Sequence, residues 1–193
     1  MKNNVIICRG ISKTFGEKQV LKDFNADFPF GSLTAIRGES GCGKTTLLRI
    51  IAGLEKADTG EISGVEKGRI SFLFQEDRLF PWLTARQNVE AVIKDKEKKQ
   101  LATELLTELG LGNELDAYPA QLSGGMCRRV AIARALAYDF DILILDEALR
   151  GLDEKNIENT AAVIKRHSVG KTVISVTHSP SSLEENAEQI LHL

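Results

Sequence analysis

The sequence predicts an α/β protein with a mainly parallel β-sheet, because three apolar runs have the length and setting of buried strands. Residues 33–36 lead into the glycine-rich stretch Gly-Glu-Ser-Gly-Cys-Gly-Lys-Thr at residues 38–45, and a helical pattern that ends at Gly53 follows it. Residues 142–145 and 172–177 are two further runs of the kind found in strands buried on both faces of a parallel sheet. Strands that alternate with helices indicate such a sheet.

Shorter patterns predict the remaining elements. Residues 5–8 and 18–24 alternate and carry β-branched side chains, which favours short strands near a sheet edge. Residues 58–61 are turn-like, and residues 85–110 are predicted to be helical, with the charge run at residues 94–99 as a solvated face or turn. We therefore divide the single domain into an α/β core, residues 1–75 and 138–193, and an inserted helical subdomain, residues 76–137.

Composition favours a soluble, folded protein of the reducing cytosol. The chain has 193 residues, of which 42% are hydrophobic and 27% are charged, and its net charge of −2 does not indicate a nucleic-acid or anionic-membrane binder. No apolar run has the length of a membrane span, and the amino terminus has no secretory signal pattern. Cys8, Cys42 and Cys127 lack metal-ligand spacing, so we expect free thiols. Membrane contact is expected only through a partner.

Residues 38–45 match a phosphate-binding pattern: Gly, four residues, then Gly-Lys-Thr. Glycines let the backbone bend so that its N–H groups face an anion at a helix N-terminus, where the helix dipole also favours negative charge. Lys44 is expected to reach the β- and γ-phosphates, and Thr45 to offer its hydroxyl to Mg²⁺. The alternative is a glycine-rich turn with a chance lysine, which the strand–loop–helix setting disfavours.

Two residues on either side of this loop are candidate ligand contacts. Phe15 could stack on an adenine base, although an aromatic residue before a glycine is more often ordinary packing. Gln75 ends a predicted strand over residues 69–74, at the sheet edge where open α/β sheets bind their ligands. It could contact Mg²⁺ or the attacking water, and the alternative is a plain surface glutamine.

An apolar cluster follows at residues 79–83, in a segment that otherwise resembles a loop. It includes Phe80, Pro81 and Trp82, the single tryptophan of the chain. Such a cluster is either folded under the domain or exposed as a docking patch.

The stretch Leu-Ser-Gly-Gly-Met at residues 122–126 predicts a second helix start of the phosphate-binding kind. Ser123 is a natural N-cap for the helical pattern that follows, and Gly124 and Gly125 leave the first turn open. A capped helix is unremarkable alone, but two phosphate-type helix starts in one short chain need a joint explanation.

The apolar run at residues 142–145 ends in two carboxylates. Asp146 at the end of this strand can hold Mg²⁺, and Glu147 could orient or deprotonate a water. The alternative is a simple helix start. A helix is predicted at residues 154–167, and His178 ends the last long strand at the same edge, where a lone histidine is more often structural.

Together these motifs resemble the ATP-binding subunit of ABC transporters. The matching pieces span almost the whole chain, namely Phe15, residues 38–46, Gln75, residues 122–126, residues 142–147, residues 151–153 and His178. The segment at residues 79–84 is similar to the ATPases of nitrate, sulfonate and taurine importers. The fold class is then a P-loop NTPase core with a mainly parallel sheet, an antiparallel β edge and an inserted helical subdomain.

The resemblance implies a head-to-tail pair of ATPase subunits with ATP and Mg²⁺ at the interface. The nucleotide contacts that it implies are Phe15, Gly38, Glu39, Ser40, Gly41, Cys42, Gly43, Lys44, Thr45, Thr46, Ser123, Gly124 and Gly125. The implied metal ligands are Thr45, Gln75 and Asp146. The implied catalytic residues are Glu147, His178, Lys44 and Gln75.

The implied partners are a second ATPase subunit, a membrane permease that docks near residues 81–84, and a solute-binding protein, with no nucleic acid. The subunit would lie at the inner face of the cell membrane, held by the permease. The chain is short for the family, so we expect no regulation through a carboxyl-terminal extension. Ala148 stands where the family often has proline, and Cys127 and Arg128 replace the more usual Arg-Gln. Neither departure removes a phosphate or metal ligand, and we expect Arg128 to alter the outer contacts of its helix.

The predicted function is ATP hydrolysis that powers import of a small solute. The main alternative is a soluble ABC-type ATPase of DNA repair or translation, although such proteins usually carry paired domains, coiled coils or basic regions. A nucleoside or small-molecule kinase would not need residues 123–125. A non-catalytic nucleotide sensor would not need Lys44, Asp146, Glu147 and His178 together.

Overall fold

The chain folds into two β-sheets and helices that cover them. The structure is a computed structural model, and it describes residues 5–65, 69–177 and 183–193. Five strands form a parallel sheet in the order β5-β6-β7-β3-β8, namely β3 (Leu33–Arg37), β5 (Ile70–Leu73), β6 (Ile142–Asp146), β7 (Thr172–Val176) and β8 (Gln189–His192). The predicted α/β class with a mainly parallel sheet is confirmed.

A separate antiparallel sheet has the order β2-β1-β4 and supplies the predicted antiparallel edge. Its strands are β1 (Val5–Phe15), β2 (Lys18–Pro29) and β4 (Thr59–Ser63). The first two are longer than predicted and pair as a hairpin, with Phe15 opposite Lys18. The prediction of a turn at residues 58–61 was wrong, because Glu61 and Ile62 pair with Arg9 and Cys8 of β1. Pairing between distant strands is not visible in local turn residues.

Five α-helices connect these strands within the described ranges. They are α1 (Lys44–Ile51), α2 (Ala85–Glu90), α3 (Gln100–Glu108), α4 (Gly124–Ala137) and α5 (Glu154–His167). The region predicted to be helical at residues 85–110 is split, because a 3-10 turn at Lys96–Lys98 separates α2 from α3 at the charge run. None of the helices in the described ranges has the length and apolar character needed to cross a bilayer.

The parallel sheet has a hydrophobic core on each face, which explains its fully apolar central strands. All five residues of β6 are buried. Leu143 and Leu145 pack into the core beneath α2 to α5, whereas Ile142 and Ile144 pack into the core beneath α1 and the antiparallel sheet. Successive side chains of a strand point to opposite faces, so a strand covered on both sides needs apolar residues throughout. The boundaries of the inserted subdomain, residues 76–137, stay a prediction.

Candidate functional site

The glycine-rich loop between β3 and α1 is shaped by close contact with β2. Gly41 and Gly43 have φ angles of 78° and 105°, a region that glycine enters without steric cost. A Cβ atom on Gly43 would lie 2.4 Å from the carbonyl oxygen of Val20. Only glycine therefore fits at this position, and the loop carries the chain into the first turn of α1.

Lys44, the first residue of α1, is buried with its ammonium group inside the loop. Its Nζ donates to the carbonyl oxygens of Gly38, at 2.8 Å, and Glu39, at 2.6 Å, and lies 3.7 Å from Sγ of Cys42. The loop therefore encloses a positive charge next to main-chain N–H groups at a helix start, which is an arrangement that favours anions.

Thr45 and Asp146 bring a hydroxyl and a carboxylate together at the carboxyl edge of the sheet. Asp146 is only 2% exposed, and the Thr45 side chain forms a hydrogen bond with it. Burial raises the pKa of Asp146 and the nearby Glu147 charge adds to this effect, whereas Thr45, Arg49 and Arg128 oppose it.

These two residues fit a magnesium ion by their chemistry, because Mg²⁺ takes hard oxygen ligands and a cation offsets the cost of a buried carboxylate. The described residues include no group of three or more histidine, cysteine, aspartate or glutamate side chains that could hold a metal. Mg²⁺ in proteins usually completes its ligands with water and substrate phosphates.

Glu147 follows directly and has an unusual backbone conformation. Its φ angle is 52°, in the left-handed region that non-glycine residues seldom enter, and its N–H donates to Val176 O of β7 at 2.9 Å. Its Oε2 accepts hydrogen bonds from Gln75 Nε2 at 3.3 Å and Arg150 Nη1 at 3.0 Å. The structure thus brings Gln75 and Glu147 together at the ligand edge of the sheet.

Arg128 lies beneath this edge, and the expectation that it alters the outer contacts of its helix was wrong. It is 4% exposed, and its guanidinium donates to Glu147 O at 2.9 Å and Phe74 O at 2.7 Å, among other carbonyl oxygens. An arginine is seldom buried, so the sequence favoured an exposed position. The space that admits it exists only once α4 packs on the ends of β5 and β6.

The helix start at Ser123 has the predicted cap. Ser123 Oγ accepts a hydrogen bond from Met126 N at 3.3 Å, so the N-cap prediction is confirmed. Ser123 and Gly124 are exposed, and a Cβ atom on Gly124 would meet nothing within 4 Å. Gly125 lies against residues 151–152, where a Cβ atom would be 3.6 Å from Leu152 Cδ2. The first turn of α4 is therefore open to a ligand or a second chain.

Phe15 presents an exposed ring at the end of β1. Lys13 Nζ lies 5.1 Å from the centroid of this ring, and the ring is about half exposed. An exposed aromatic ring beside a cation can stack on a planar base. His178, which the sequence placed at the same edge, lies outside the described residues.

The apolar cluster at residues 79–83 divides between core and surface. Leu79 packs against the helical core, whereas Phe80 is exposed and Trp82 is 69% exposed, with their ring centroids 5.6 Å apart. Buried Asn88 of α2 holds this loop, because its amide accepts from Phe80 N and donates to Phe80 O, Leu83 O and Thr84 O. The loop therefore has a defined shape that presents an apolar surface.

Comparisons with known proteins identify the family. A family model described as ABC transporter matches residues 21–150. The aliphatic sulfonates import ATP-binding protein SsuB 1 of Mesorhizobium japonicum is 37% identical over 193 aligned residues, which cover 95% of this chain and 73% of that protein. The sulfate/thiosulfate import ATP-binding protein CysA of Synechocystis sp. is 40% identical, over 96% of this chain and 57% of that protein.

Solved structures lead to the same family. The dimeric structure of MJ0796, a bacterial ABC transporter cassette, superposes with a TM-score of 0.86 at 33% identity and covers 97% of this chain and 94% of that one. A dimeric post-hydrolysis state of the same cassette, bound to ADP and Pi, also has a TM-score of 0.86, at 32% identity, with the same coverage. This chain therefore belongs to the ABC transporter family, as an ATP-binding subunit that hydrolyses ATP.

Proposed function

We propose that this subunit powers an importer, and that the cargo is a small oxyanionic solute such as a sulfonate, nitrate or sulfate, carried by a separate permease. The single observation that supports nucleotide binding and hydrolysis is that Lys44, Thr45 and Asp146 lie together at one edge of the sheet. The importer part rests on relatives whose names specify import of aliphatic sulfonates or sulfate, and on the apolar segment at residues 79–84.

In the proposed reaction, water attacks the γ-phosphate in line with the leaving oxygen. The Lys44 ammonium and the loop N–H groups hold the phosphate oxygens, and Phe15 stacks on the adenine. Thr45 and Asp146, with Gln75, would hold Mg²⁺, which neutralises phosphate charge when it is bound. Glu147 accepts a hydrogen bond from the attacking water and orients it. The family resemblance assigns His178 to the γ-phosphate region.

A second copy of the chain would complete each site. The exposed helix start at Ser123, Gly124 and Gly125 offers N–H groups and a helix dipole to the γ-phosphate bound by the other copy. The dimeric state of the similar bacterial cassette supports this arrangement. Closure on ATP and opening after hydrolysis would move the helical subdomain, residues 76–137, and the permease docked near residues 81–84. A solute-binding protein would deliver the cargo, and the subunit would lie at the inner face of the membrane.

The substitution Glu147→Gln tests the catalytic assignment. The variant is expected to bind MgATP normally but to hydrolyse it at least ~10²-fold more slowly, on the scale of losing one preorganised catalytic group. It should also accumulate as an ATP-bound dimer in size-exclusion chromatography with light scattering. Glu158→Gln, an exposed carboxylate on α5, is the matched control. Near-normal turnover of Glu147→Gln removes that residue from its role.

The substitution Ser123→Arg tests the paired site separately. We expect an isolated chain to keep its affinity for MgATP, because Lys44 and Thr45 are untouched. The same variant, combined with Glu147→Gln, is expected to remain monomeric in MgATP because the arginine occupies the helix start. Loss of nucleotide binding by the monomer, or an unchanged dimer, contradicts the head-to-tail arrangement.

A further inference from the structure

One buried guanidinium joins three parts of the site that are distant in sequence. Arg128 comes from the signature helix α4, and it contacts the end of β6 and the segment after β5. We infer that Arg128 is a positioning residue that holds the backbone of Glu147 in its active conformation. This inference rests on the proposed role of Glu147 in orienting water.

The contacts of Arg128 use all three nitrogen atoms of its guanidinium group. Nε donates to Ala148 O at 2.8 Å, and Nη2 donates to Asp146 O at 3.0 Å and Glu147 O at 2.9 Å. Three consecutive carbonyl oxygens therefore converge on one side chain. Because buried carbonyl groups need donors, the guanidinium beneath this turn stabilises it by donating to all three of them.

The other terminal nitrogen reaches the segment that carries Gln75. Nη1 donates to Phe74 O at 2.7 Å, to Gln75 O at 3.3 Å and to the Asp77 carboxylate at 3.2 Å. The same guanidinium thus sets the distance between the backbone of Gln75 and the backbone of Glu147, whose side chains are themselves hydrogen-bonded. A shift of either segment breaks contacts to the other.

The backbone of Glu147 is where such support matters most. A non-glycine residue with a φ angle of 52° persists only when its surroundings over-determine it. The N–H of Glu147 donates to Val176 O of β7, and its carbonyl oxygen accepts from Arg128 Nη2 at 2.9 Å and from Arg150 N at 3.2 Å. Without Arg128, the carbonyl of this strained residue loses the shorter of these two hydrogen bonds, and its carboxylate is expected to move from the position that suits an attacking water.

An arginine satisfies this geometry better than other residues. Its planar fork carries five N–H donors, whereas lysine has three donors at one point and glutamine has two. Burial lowers the pKa of Arg128, but the neighbouring Asp77, Asp146 and Glu147 raise it, and a guanidinium remains charged in proteins. Side chains that keep some of these donors, such as glutamine or lysine, are therefore expected to keep part of the kcat. This result would distinguish a positioning role of Arg128 from a role in filling space.

The neighbouring Arg129 provides the matched control. It is also buried on α4, but its guanidinium donates to Leu109 O at 2.7 Å and Gly125 O at 3.3 Å, and thus away from residues 146–148. Arg129→Met removes a buried guanidinium from the same helix without removing a contact to Glu147. A purely structural role of Arg128 predicts that both variants lose Tm and that neither loses kcat when folded.

The experiment compares Arg128→Met, Arg128→Gln, Arg128→Lys and Arg129→Met at a temperature where circular dichroism shows each variant folded. We expect Arg128→Met to lower kcat at least ~10-fold with the Kd for MgATP within about threefold, because small displacements of a catalytic group cost this much or more. Arg128→Gln and Arg128→Lys are expected to have intermediate kcat values, and Arg129→Met is expected to keep kcat. If Arg128→Met does not fold, the Gln and Lys variants decide the question.

A double variant distinguishes failure of this inference from failure of the proposed function. Arg128→Met added to Glu147→Gln is expected to lower kcat no further, because the first residue acts through the second. An inactive Glu147→Gln together with an Arg128→Met that keeps full kcat overturns only the inference. An active Glu147→Gln overturns the proposed role of Glu147 in orienting water, on which the inference rests. Multiplicative losses in the double variant show that Arg128 acts independently of Glu147 and also overturn the inference.

Discussion

Arg150 Nη1 lies 3.0 Å from Glu147 Oε2, so the carboxylate that we propose to orient water forms an ion pair three residues along its own chain. The Arg150 side chain is 67% exposed, whereas that of Glu147 is 11% exposed. An ion pair with one exposed partner contributes about 1 kcal/mol or less. The pair is therefore weak enough to be exchanged for a water when the site closes.

Because the ion pair between Arg150 and Glu147 is weak, the substitution Arg150→Gln is expected to have a limited effect on kcat. We expect kcat to rise by no more than about fivefold, which corresponds to about 1 kcal/mol, because less competition remains for the Glu147 oxygen. Thermal unfolding should change little. Steady-state ATPase assays measure the effect, and a tenfold fall in kcat would show instead that Arg150 assists the reaction.

Asp146→Asn is expected to stabilise the nucleotide-free protein at neutral pH. Burial raises the pKa of Asp146 above its unfolded value, so its protonated form favours folding below the unfolded pKa, and this contribution is lost as pH rises through the folded pKa. Asparagine carries no such penalty. The gain should be about 1 kcal/mol, within the usual range for removing a functional strain.

Urea unfolding at several pH values measures this gain. The wild type and Asp146→Asn should approach each other at acid pH and separate as pH rises. MgATP should raise the Tm of the wild type but raise that of the variant much less, because the carboxylate proposed to hold Mg²⁺ is gone. A variant that is less stable than the wild type at neutral pH contradicts the burial argument.

Asn88→Ala should disturb the exposed apolar loop without reaching the nucleotide site. Its amide contacts the main chain at Phe80, Leu83 and Thr84, and it is fully buried. Phe80 O and Thr84 O keep backbone donors, but Phe80 N and Leu83 O lose the Asn88 amide, at a cost of about 1–3 kcal/mol in unfolding free energy.

Functionally, the isolated Asn88→Ala chain should keep its basal ATPase but lose stimulation by a permease in liposomes. Asn113→Ala, an exposed asparagine in another loop, is the control. If the permease stimulates the ATPase of Asn88→Ala as it does that of the wild type, the loop around Trp82 is not part of the docking surface.

The thiols of Cys8 and Cys42 should differ in reactivity toward a disulfide reagent. Cys8 is fully buried, and burial raises its pKa to about 12, so very little thiolate exists at pH 8. We expect no reaction at Cys8 until the protein unfolds. Cys42 is half-buried in the glycine-rich loop, so MgATP should slow its labelling. Mass spectrometry after timed labelling measures both, and equal rates at Cys8 and Cys42 contradict the prediction.

Local sequence patterns were sufficient to predict most of the helices and strands of the fold. The helix predicted at residues 154–167 is observed with those bounds, and in the structure Asp153 caps it by accepting a hydrogen bond from Asn156 N. The buried strands were predicted because a strand covered on both faces must be apolar throughout. Asp146 and Glu147 lie at the carboxyl edge of the sheet because the strand predicted from residues 142–145 ends there.

Tertiary structure decided what depends on pairing between distant segments. Residues 59–61 of the predicted turn belong to a strand because they pair with β1. Arg128 is buried because three chain segments meet around it. The hydrogen bond from Gln75 to the Glu147 carboxylate likewise forms only when two distant loops are brought together. Local propensity acts over a few residues, whereas these contacts join residues far apart in sequence, so only the packed chain determines them.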